Sequence, residues 1–235
     1  MPVDSRWKIL LTNDDGIAAP GLVALERAAA SLGAETVVVA PAEPHSGCGH
    51  RVTTDRPLLL VQHAANRYSL AGTPADCVRV GLATVATEAV MVLSGINAGG
   101  NLGVDIHHSG TVAAAREGAL HGRRGVAASQ YHRRGSEIDW ERSAAWLINV
   151  LNLLRTAEDL PGTFWNINFP DLPAGAAPPP VVACAIDPSP FQLGYRESDA
   201  GWHYSASYHE RPRLAEADVA TCFGGAISLS SGRVV

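Results

Sequence analysis

Two adjacent carboxylates, Asp14 and Asp15, are the residues of this sequence best suited to metal chemistry. They follow the apolar run 8–12 (KILLT), within the segment Asn-Asp-Asp-Gly. Two uncompensated acids side by side repel each other, which raises the pKa of one carboxyl. A divalent cation relieves that repulsion, and hard cations such as Mg²⁺ and Mn²⁺ prefer oxygen ligands. The alternative is an Asx-turn or a helix N-cap, which the dipeptide alone favours.

Two further polar loops favour the metal site over a plain turn. Ser46 lies in the loop 41–50 (PAEPHSGCGH) and Asn97 in the loop 94–103 (SGINAGGNLG), each after an apolar run. In an open α/β sheet, ligands bind at the carboxyl ends of the strands, where such loops meet. The sequence therefore predicts one divalent metal ion, Mg²⁺ or Mn²⁺, held by Asp14, Asp15, Ser46 and Asn97.

A helix start after the third loop is a candidate phosphate site. Ser109, Gly110 and Thr111 open a helix of small residues. The exposed amides of a helix N-terminus attract phosphate, and hydroxyl groups add donors. Asn97 lies in the same glycine-rich stretch and is a further candidate for phosphate binding. Simple capping of the helix by Ser109 or Thr111 is the alternative.

Four histidines and one cysteine occur in the same loops. They are His45, His50, His107, His108 and Cys48. Imidazole can ligate a metal or protonate a leaving group, but each histidine is better interpreted as a supporting or solvated residue. Burial suits Cys48 better than ligation, because the other ligands are hard oxygens.

Common motifs of other enzyme classes are missing from the sequence. It contains no G-x-x-x-x-G-K-[ST], no G-x-S-x-G and no H-E-x-x-H, and no G-x-G-x-x-G follows its first strand. These absences argue against a P-loop enzyme acting on nucleoside triphosphates, an α/β-hydrolase, a zinc protease and an NAD enzyme.

The elements that must position these residues alternate along the chain. Buried strands are predicted at 8–12, 36–40, 89–93, 125–129 and 163–169, a hairpin at 57–70, and helices at 19–32, 74–87, 111–121 and 139–157. Near-continuous apolar strands alternating with helices indicate parallel strands covered on both faces. We expect an α/β fold with a Rossmann-like, mostly parallel sheet, helices on both faces and a C-terminal β-rich extension.

The character of the chain changes near residue 170. We expect an α/β catalytic core over 1–170, followed over 171–235 by a Pro-rich connector and a β-rich extension. Isolated hairpins are marginally stable, so the extension should pack on the core or on a second subunit.

Composition limits the partners and the compartment. The 235 residues carry a net charge of −5, with 46% hydrophobic and 17% charged residues. This balance suits a soluble globular protein and argues against a nucleic-acid polymer or an anionic membrane as partner. No segment has the length of a membrane span or the layout of a signal peptide, and the four cysteines suit free thiols. We therefore expect a cytoplasmic protein.

Four segments together resemble the SurE family of survival proteins, which are metal-dependent nucleotidases. The segments are ILLTNDDGIAAPGL, VVAPAEPHSG, AGTPADCVRVGL and SGINAGGNLGVDIHHSGTVAAAREGAL, which occur in the family order, and the match runs over roughly residues 7–122. The resemblance implies that Asp14, Asp15, Ser46 and Asn97 hold the metal. It also implies that Asn101 and the turn 109–111 meet the phosphate.

The resemblance also extends to assembly, with departures at three positions. In the family the C-terminal β extension is exchanged between subunits, which implies a homodimer or homotetramer here. The family usually has an acidic residue where Val104 stands, often Tyr where His108 stands, and often a basic residue near Ser46 where this chain has His45. These departures affect the substrate pocket and leave the metal site intact.

The predicted activity is hydrolysis of nucleoside monophosphates by a 5′/3′-nucleotidase. Asp14, Asp15 and Asn101 are the catalytic candidates, with Asp14 orienting or deprotonating the attacking water. The roles of the two aspartates could be exchanged, or one could attack phosphorus directly. The alternatives are a phosphatase of sugar phosphates or biosynthetic intermediates, and a non-catalytic nucleotide sensor.

Overall fold

A nine-stranded sheet forms the centre of the molecule. The computed structural model describes residues 7–133 and 135–234. The strands are β1 (Lys8–Thr12), β2 (Glu35–Pro41), β3 (Leu60–Ala64), β4 (Arg67–Leu70), β5 (Met91–Ala98), β6 (Arg124–Gln130), β7 (Thr163–Phe169), β8 (Val181–Ala183), β9 (Tyr195–Ser198), β10 (Gly201–Tyr204) and β11 (Ile227–Arg233). The helices are α1 (Pro20–Ser31), α2 (Pro74–Ala83), α3 (Gly110–Leu120), α4 (Trp140–Leu154) and α5 (Asp218–Phe223), with a short 3₁₀ helix at Gly103–His107.

The strand order places a switch point beside β1. The order is β3-β4-β2-β1-β5-β6-β7-β11-β8, and β9 pairs only with β10 within the described residues. Strands β4, β2, β1, β5, β6 and β7 run parallel, whereas β3 and β11 run antiparallel to their neighbours β4 and β7. The chain leaves β1 towards β2 and returns to its other side as β5. Ligands bind at such a switch point in open α/β sheets.

Helices cover both faces of the sheet. Ile9 and Leu11 of β1 pack in one buried cluster with α1 and α4, whereas Leu10 packs in another with α2. Alternate residues of a strand point to opposite faces, so the central strands are buried on both sides. This arrangement confirms the predicted α/β fold with a mostly parallel sheet.

Local sequence explains where the helices next to the site begin. Thr73 and Asp76 form a capping box at the start of α2, and the Ser109 side chain accepts a hydrogen bond from the Val112 amide at the start of α3. Helix α3 lies unusually close to the sheet, because a Cβ added at its Gly118 would be 2.8 Å from Val92. The small residues of α3 are therefore a packing requirement.

Two predicted boundaries were wrong. The helix expected at 74–87 ends at Ala83, and the strand expected at 89–93 runs over Met91–Ala98. Asn97 consequently lies inside β5, paired with Ser129 of β6, and not in the loop after the strand. The predicted hairpin at 57–70 is present as β3 and β4.

The segment after residue 170 contributes to the main sheet as well as to an extension. Strand β11 lies antiparallel to β7, and β8 lies beside β11. The hairpin β9–β10 is separate from that sheet and is the β-rich extension. Because strands from both sides of residue 170 join the main sheet, the division into a core over 1–170 and an extension over 171–235 stays a prediction. Among the helices of the described residues, none is long and apolar enough to cross a membrane.

Candidate active site

A cavity of about 310 Å³ lies at the carboxyl ends of β1 and β5. Six of the predicted site residues line it: Asp14, Asp15, Ser46, Asn97, Asn101 and Ser109. The other two, Gly110 and Thr111, contact Asp14. The structure therefore brings all eight residues to one place.

Asp14 is the most buried carboxylate of the cavity. It is 5% exposed, and the Thr111 hydroxyl donates a hydrogen bond to its Oδ1 at 2.6 Å. Burial raises the pKa of Asp14 to about 6, and the neighbouring charge of Asp15 adds to this rise, against the lowering effect of the Thr111 bond. A buried carboxylate with a raised pKa gains strongly from a nearby cation.

Asp15 is held from the end of β5. The backbone amide of Ala98 donates to its Oδ2 at 3.1 Å, and burial raises the pKa of this carboxyl as well. One oxygen of each aspartate is thus fixed by a single hydrogen bond. Both carboxylates are positioned with acceptor capacity to spare for a cation.

The start of α3 approaches Asp14 so closely that only glycine fits at position 110. A Cβ added there would lie 2.8 Å from Asp14 Cβ, 2.9 Å from its Oδ2 and 3.0 Å from Cys48 Sγ. The first amides of the helix therefore lie next to the carboxylate. The Val112 amide is bonded to the Ser109 hydroxyl, and the amides of Gly110 and Thr111 have no partner within the helix.

Ser46 and Asn97 add neutral oxygens to the cavity. The Asn97 Nδ2 donates to the Gly99 carbonyl at 2.9 Å, so its Oδ1 is the side-chain atom left to accept or ligate. Ser46 is exposed, and its loop is tied to the end of β1 because the His45 amide donates to the Asp14 carbonyl at 2.7 Å.

Asn101 is fixed by side chains that sequence reasoning missed. Its amide N–H donates to Asn168 Oδ1 at 2.8 Å, Asn166 Nδ2 donates to its carbonyl at 2.8 Å, and its own Nδ2 donates to Ser129 Oγ at 2.8 Å. Asn166 and Asn168 are fully buried in β7. Buried side-chain amides need hydrogen-bond partners. Two asparagines at alternate positions of an otherwise apolar strand were therefore a sign in the sequence that this strand supports another polar group.

Asp105 is a second missed residue of the cavity. Its Oδ2 accepts hydrogen bonds from Tyr208 Oη at 2.6 Å and from Arg211 Nη1 at 2.7 Å. Arg211 is 7% exposed and also donates to the Leu102 carbonyl at 3.2 Å. These bonds attach the segment after β10 to the loop that follows β5.

The histidines of the loops have different surroundings. His108 lines the cavity, and its ring centroid lies 5.4 Å from that of Phe191. His50 instead pairs with Glu117, through Nε2 and Oε2 at 2.6 Å. Cys48 is half-buried, and burial together with the Asp14 charge raises the pKa of its thiol, which disfavours the thiolate that a metal needs.

The donor set fits a hard divalent cation. Within the described residues no group of three or more His, Cys, Asp and Glu side chains is arranged to hold a metal. The cavity instead offers two carboxylates with raised pKa values, the Ser46 hydroxyl and the Asn97 amide oxygen. Oxygen ligands of this kind suit Mg²⁺ or Mn²⁺ and not a soft metal.

Known proteins share both the sequence and the fold. The model of a family described as "Survival protein SurE" matches residues 9–184. "Putative 5'-nucleotidase alr3139" of Nostoc sp. is 46% identical over 96% of this chain and 99% of that protein. "5'-nucleotidase SurE" of Brucella canis is 37% identical over 95% of this chain and 91% of that protein. The crystal structure of SurE protein from Aquifex aeolicus superimposes with a TM-score of 0.84 at 30% identity, covering 97% of this chain and 94% of that one.

Proposed function

This chain belongs to the SurE family, and from that membership and its cavity we propose that it is a divalent-metal-dependent 5′-nucleotidase. It would hydrolyse nucleoside monophosphates to nucleoside and phosphate. The observation that carries the proposal is the buried carboxylate of Asp14, held by Thr111 and paired with Asp15 in the cavity at the switch point. The names of the full-length relatives support the phosphomonoesterase activity.

Four residues are proposed to hold one Mg²⁺ or Mn²⁺ ion. They are Asp14, Asp15, Ser46 and Asn97, which all line the cavity with oxygen atoms. The ion would supply positive charge that polarises the phosphate and favours deprotonation of water. The protein holds the carboxyl groups of Asp14 and Asp15 next to each other. In the absence of a cation, the pKa of each is raised.

The phosphate is proposed to lie between Asn101 and the start of α3. Asn101 is locked in place by Asn166, Asn168 and Ser129. The Thr111 hydroxyl is already bonded to Asp14, so Thr111 and Gly110 would contribute backbone amides and Ser109 its hydroxyl. Donors fixed in advance stabilise charge on the phosphoryl oxygens, which is the main task in phosphoryl transfer.

Asp14 is the proposed residue for orienting the attacking water. The Thr111 hydrogen bond to Oδ1 fixes its carboxylate, and the close approach of Gly110 packs the start of α3 against it. Asp15, whose Oδ2 accepts a hydrogen bond from the Ala98 amide, would act mainly as a ligand. Positioning of this kind is a large part of catalysis when little covalent chemistry falls to the protein.

Phosphate release from a panel of esters tests the proposal. Nucleoside monophosphates and sugar phosphates would be supplied with Mn²⁺, with Mg²⁺ and with chelator, to the natural chain, to Asp14→Asn and to the control Asp55→Asn. Asp55 is exposed and lies outside the cavity residues. We expect metal-dependent turnover with nucleotides ranked first, and a loss on the order of 1,000-fold in Asp14→Asn only. Chelator-insensitive turnover, or a sugar phosphate ranked first, would contradict it.

Assembly and compartment are part of the same proposal. A homodimer or homotetramer is supported by the exposed aromatic residues of the β9–β10 hairpin, Tyr195, Trp202 and Tyr204. A cytoplasmic location is supported by the four cysteines, which are free thiols in the structure.

A further inference from the structure

One short turn joins the two proposed phosphate-binding elements. It consists of Leu102 and the 3₁₀ helix Gly103–His107, with Asn101 directly before it and Ser109, at the start of α3, shortly after it. The Asp105 amide donates to the Leu102 carbonyl at 3.1 Å, and the Ser109 amide donates to the Asp105 carbonyl at 3.0 Å. The shape of this turn therefore sets where Asn101 lies relative to Ser109. Because 3₁₀ hydrogen bonds have poor geometry, contacts from outside the turn matter for that shape.

Arg211, in the segment after β10, bonds both ends of the turn. Its Nη1 donates to Asp105 Oδ2 at 2.7 Å, and its Nη2 donates to the Leu102 carbonyl at 3.2 Å. Asp105 Oδ2 also accepts a hydrogen bond from the Leu102 amide at 3.1 Å, so the guanidinium and the carboxylate close the turn together. A planar guanidinium makes two such bonds at a fixed separation, which a lysine ammonium does not reproduce.

The Arg211 guanidinium is itself held in place. Arg211 is 7% exposed, and its Cζ lies 5.1 Å from the ring centroid of Tyr208 and 5.5 Å from that of Phe191. The backbone of the turn packs directly on it, because a Cβ added at Gly103 would lie 3.2 Å from Arg211 Nη2. Close packing of this kind leaves little room for independent movement. The guanidinium and the turn are therefore one packed unit.

We propose that Arg211 is a positioning residue of the phosphate site, which sets the spacing between Asn101 and Ser109 by bridging the turn. The inference rests on the proposed function, because it takes those two residues to bind the phosphate. Arg211 acts through Asp105, which lines the cavity, and is not itself one of the lining residues. Donors at a preset spacing stabilise the charge that develops on phosphoryl oxygens, so a distorted turn costs rate.

Arg211→Lys tests the bridge, because it keeps the positive charge and removes the planar fork. With saturating Mg²⁺, kcat/KM for adenosine 5′-monophosphate should fall about 10- to 100-fold. The dissociation constant of orthophosphate, measured by calorimetric titration in Mg²⁺, should rise about tenfold. The dissociation constant of Mg²⁺ should stay within about threefold, because Asp14 and Asp15 lie outside the turn. A comparable weakening of Mg²⁺ binding would mean that the whole cavity has shifted, which overturns the proposal.

Arg213→Lys is the matched control. Arg213 is exposed, stacks on Phe223 at 5.2 Å and donates to the carbonyl of His209 at 2.7 Å, which belongs to the extension and not to the turn. It should change no constant by more than about threefold. Equal losses in the two variants would overturn the proposal and assign the effect to loosening of the extension. Unchanged kinetics in Arg211→Lys would overturn it too, and would show that the site needs the charge and not the bridge.

Asp105→Asn serves as the second variant if Arg211→Lys does not fold. It weakens the same ion pair while keeping the shape of the side chain. The same rise in the orthophosphate dissociation constant is expected, again with Mg²⁺ binding within about threefold of the natural value. An orthophosphate dissociation constant equal to that of the natural chain would overturn the proposal.

Orthophosphate binding separates this inference from the nucleotidase itself. If the natural chain releases no phosphate from nucleoside monophosphates but binds orthophosphate in an Arg211-dependent way, the nucleotidase proposal fails and the positioning role stands. If it hydrolyses nucleoside monophosphates and Arg211→Lys matches it in kinetics and in orthophosphate binding, the positioning role fails and the nucleotidase stands.

Discussion

At the scale of single residues, the tightest constraint in the site is the contact between Gly110 and Asp14. Gly118 offers a matched comparison in the same helix. A Cβ added at Gly118 would lie 2.8 Å from Val92, and a Cβ added at Gly110 would lie 2.8 Å from the Cβ of Asp14. Gly110→Ala and Gly118→Ala should each lower the free energy of unfolding by about 1–3 kcal/mol through overpacking. Only Gly110→Ala should also lower kcat/KM, on the order of 10- to 100-fold, because it displaces the carboxylate.

Chemical denaturation and metal-saturated kinetics on both variants check this prediction. A comparable fall in kcat/KM for the two variants would mean that the activity loss reports general loosening of α3. In that case the approach of Gly110 to Asp14 has no special role.

The support of Asn101 leads to a second residue-scale prediction. Asn168 both accepts from the Asn101 amide at 2.8 Å and donates to its carbonyl at 3.1 Å. Asn168→Ala removes both bonds and should lower kcat about 10- to 100-fold while metal affinity stays within about threefold, since Asn101 is a proposed phosphate ligand. Asn152→Ala, on the exposed side of α4, is the control and should change neither. A matched loss of metal affinity in Asn168→Ala would show that the whole cavity has shifted.

Only part of this site was predictable from the residues alone. Five of the six predicted residues that line the cavity follow apolar runs, and the sixth, Ser109, opens a helix. The convergence of the five follows from the simple rule that loops gather at the carboxyl ends of parallel strands. Asn168 and Asn101 are separated by 67 positions, and Arg211 and Asp105 by 106. No local pattern encodes such pairs. The buried asparagines of β7 were a visible anomaly whose partner could not be named without the fold.

At the scale of elements, strand ends were harder to predict than strand existence. The apolar run of β5 ends at Leu93, yet pairing with β6 continues to Ala98 and Gln130. Polar and glycine residues at the end of this strand serve the site, so the hydrophobic pattern stops before the backbone pairing does. Strand β11 was not predicted to join the main sheet. Its sequence (ISLSSGR) alternates apolar residues with serine, which is the pattern of a strand at the surface.

Glu117 connects α3 to the loop that carries Ser46. It is 4% exposed and pairs with His50 at 2.6 Å and His121 at 2.9 Å, with Arg79 at 3.9 Å. Burial raises the pKa of Glu117, but the hydrogen bonds and charges of the two histidines outweigh it, so the pKa lies below its ordinary value of 4.5. The ionised carboxylate is therefore the form that stabilises the fold.

Glu117→Gln should lower the free energy of unfolding by about 2 kcal/mol at pH 7, because charge-assisted hydrogen bonds are lost. A lowered pKa contributes stability above the unfolded value and loses it as pH falls through the folded value. The gap between the natural chain and the variant should thus persist at pH 5 and shrink below about pH 4.5. Urea denaturation at pH 7, 5 and 4 measures it, with the exposed Glu88→Gln as control. A gap that stays constant down to pH 4 would rule out the carboxylate charge as its source.

At the scale of the whole molecule, apolar surface is concentrated on the segment that leaves the main sheet. Leu193 is 84% exposed, and Tyr195, Trp202 and Tyr204 of the β9–β10 hairpin are 58%, 67% and 61% exposed. A two-stranded hairpin is marginal alone, and contiguous exposed apolar residues usually mark an interface. The same segment continues into Tyr208 and Arg211, which are bonded to Asp105 in the cavity. An interface at the hairpin would therefore also hold one wall of the site.

Replacing the centre of this surface tests the proposed oligomer. Trp202→Glu adds a charge to the hairpin face and should move the mass measured by light scattering from a dimer or tetramer towards a monomer. The control is Val90→Glu, which adds the same charge at another apolar residue that is 51% exposed. KM should rise with dissociation in Trp202→Glu, since the segment that carries Tyr208 loses its support. A monomeric natural chain at micromolar concentration would remove the oligomer proposal, and equal dissociation of both variants would move the interface away from the hairpin.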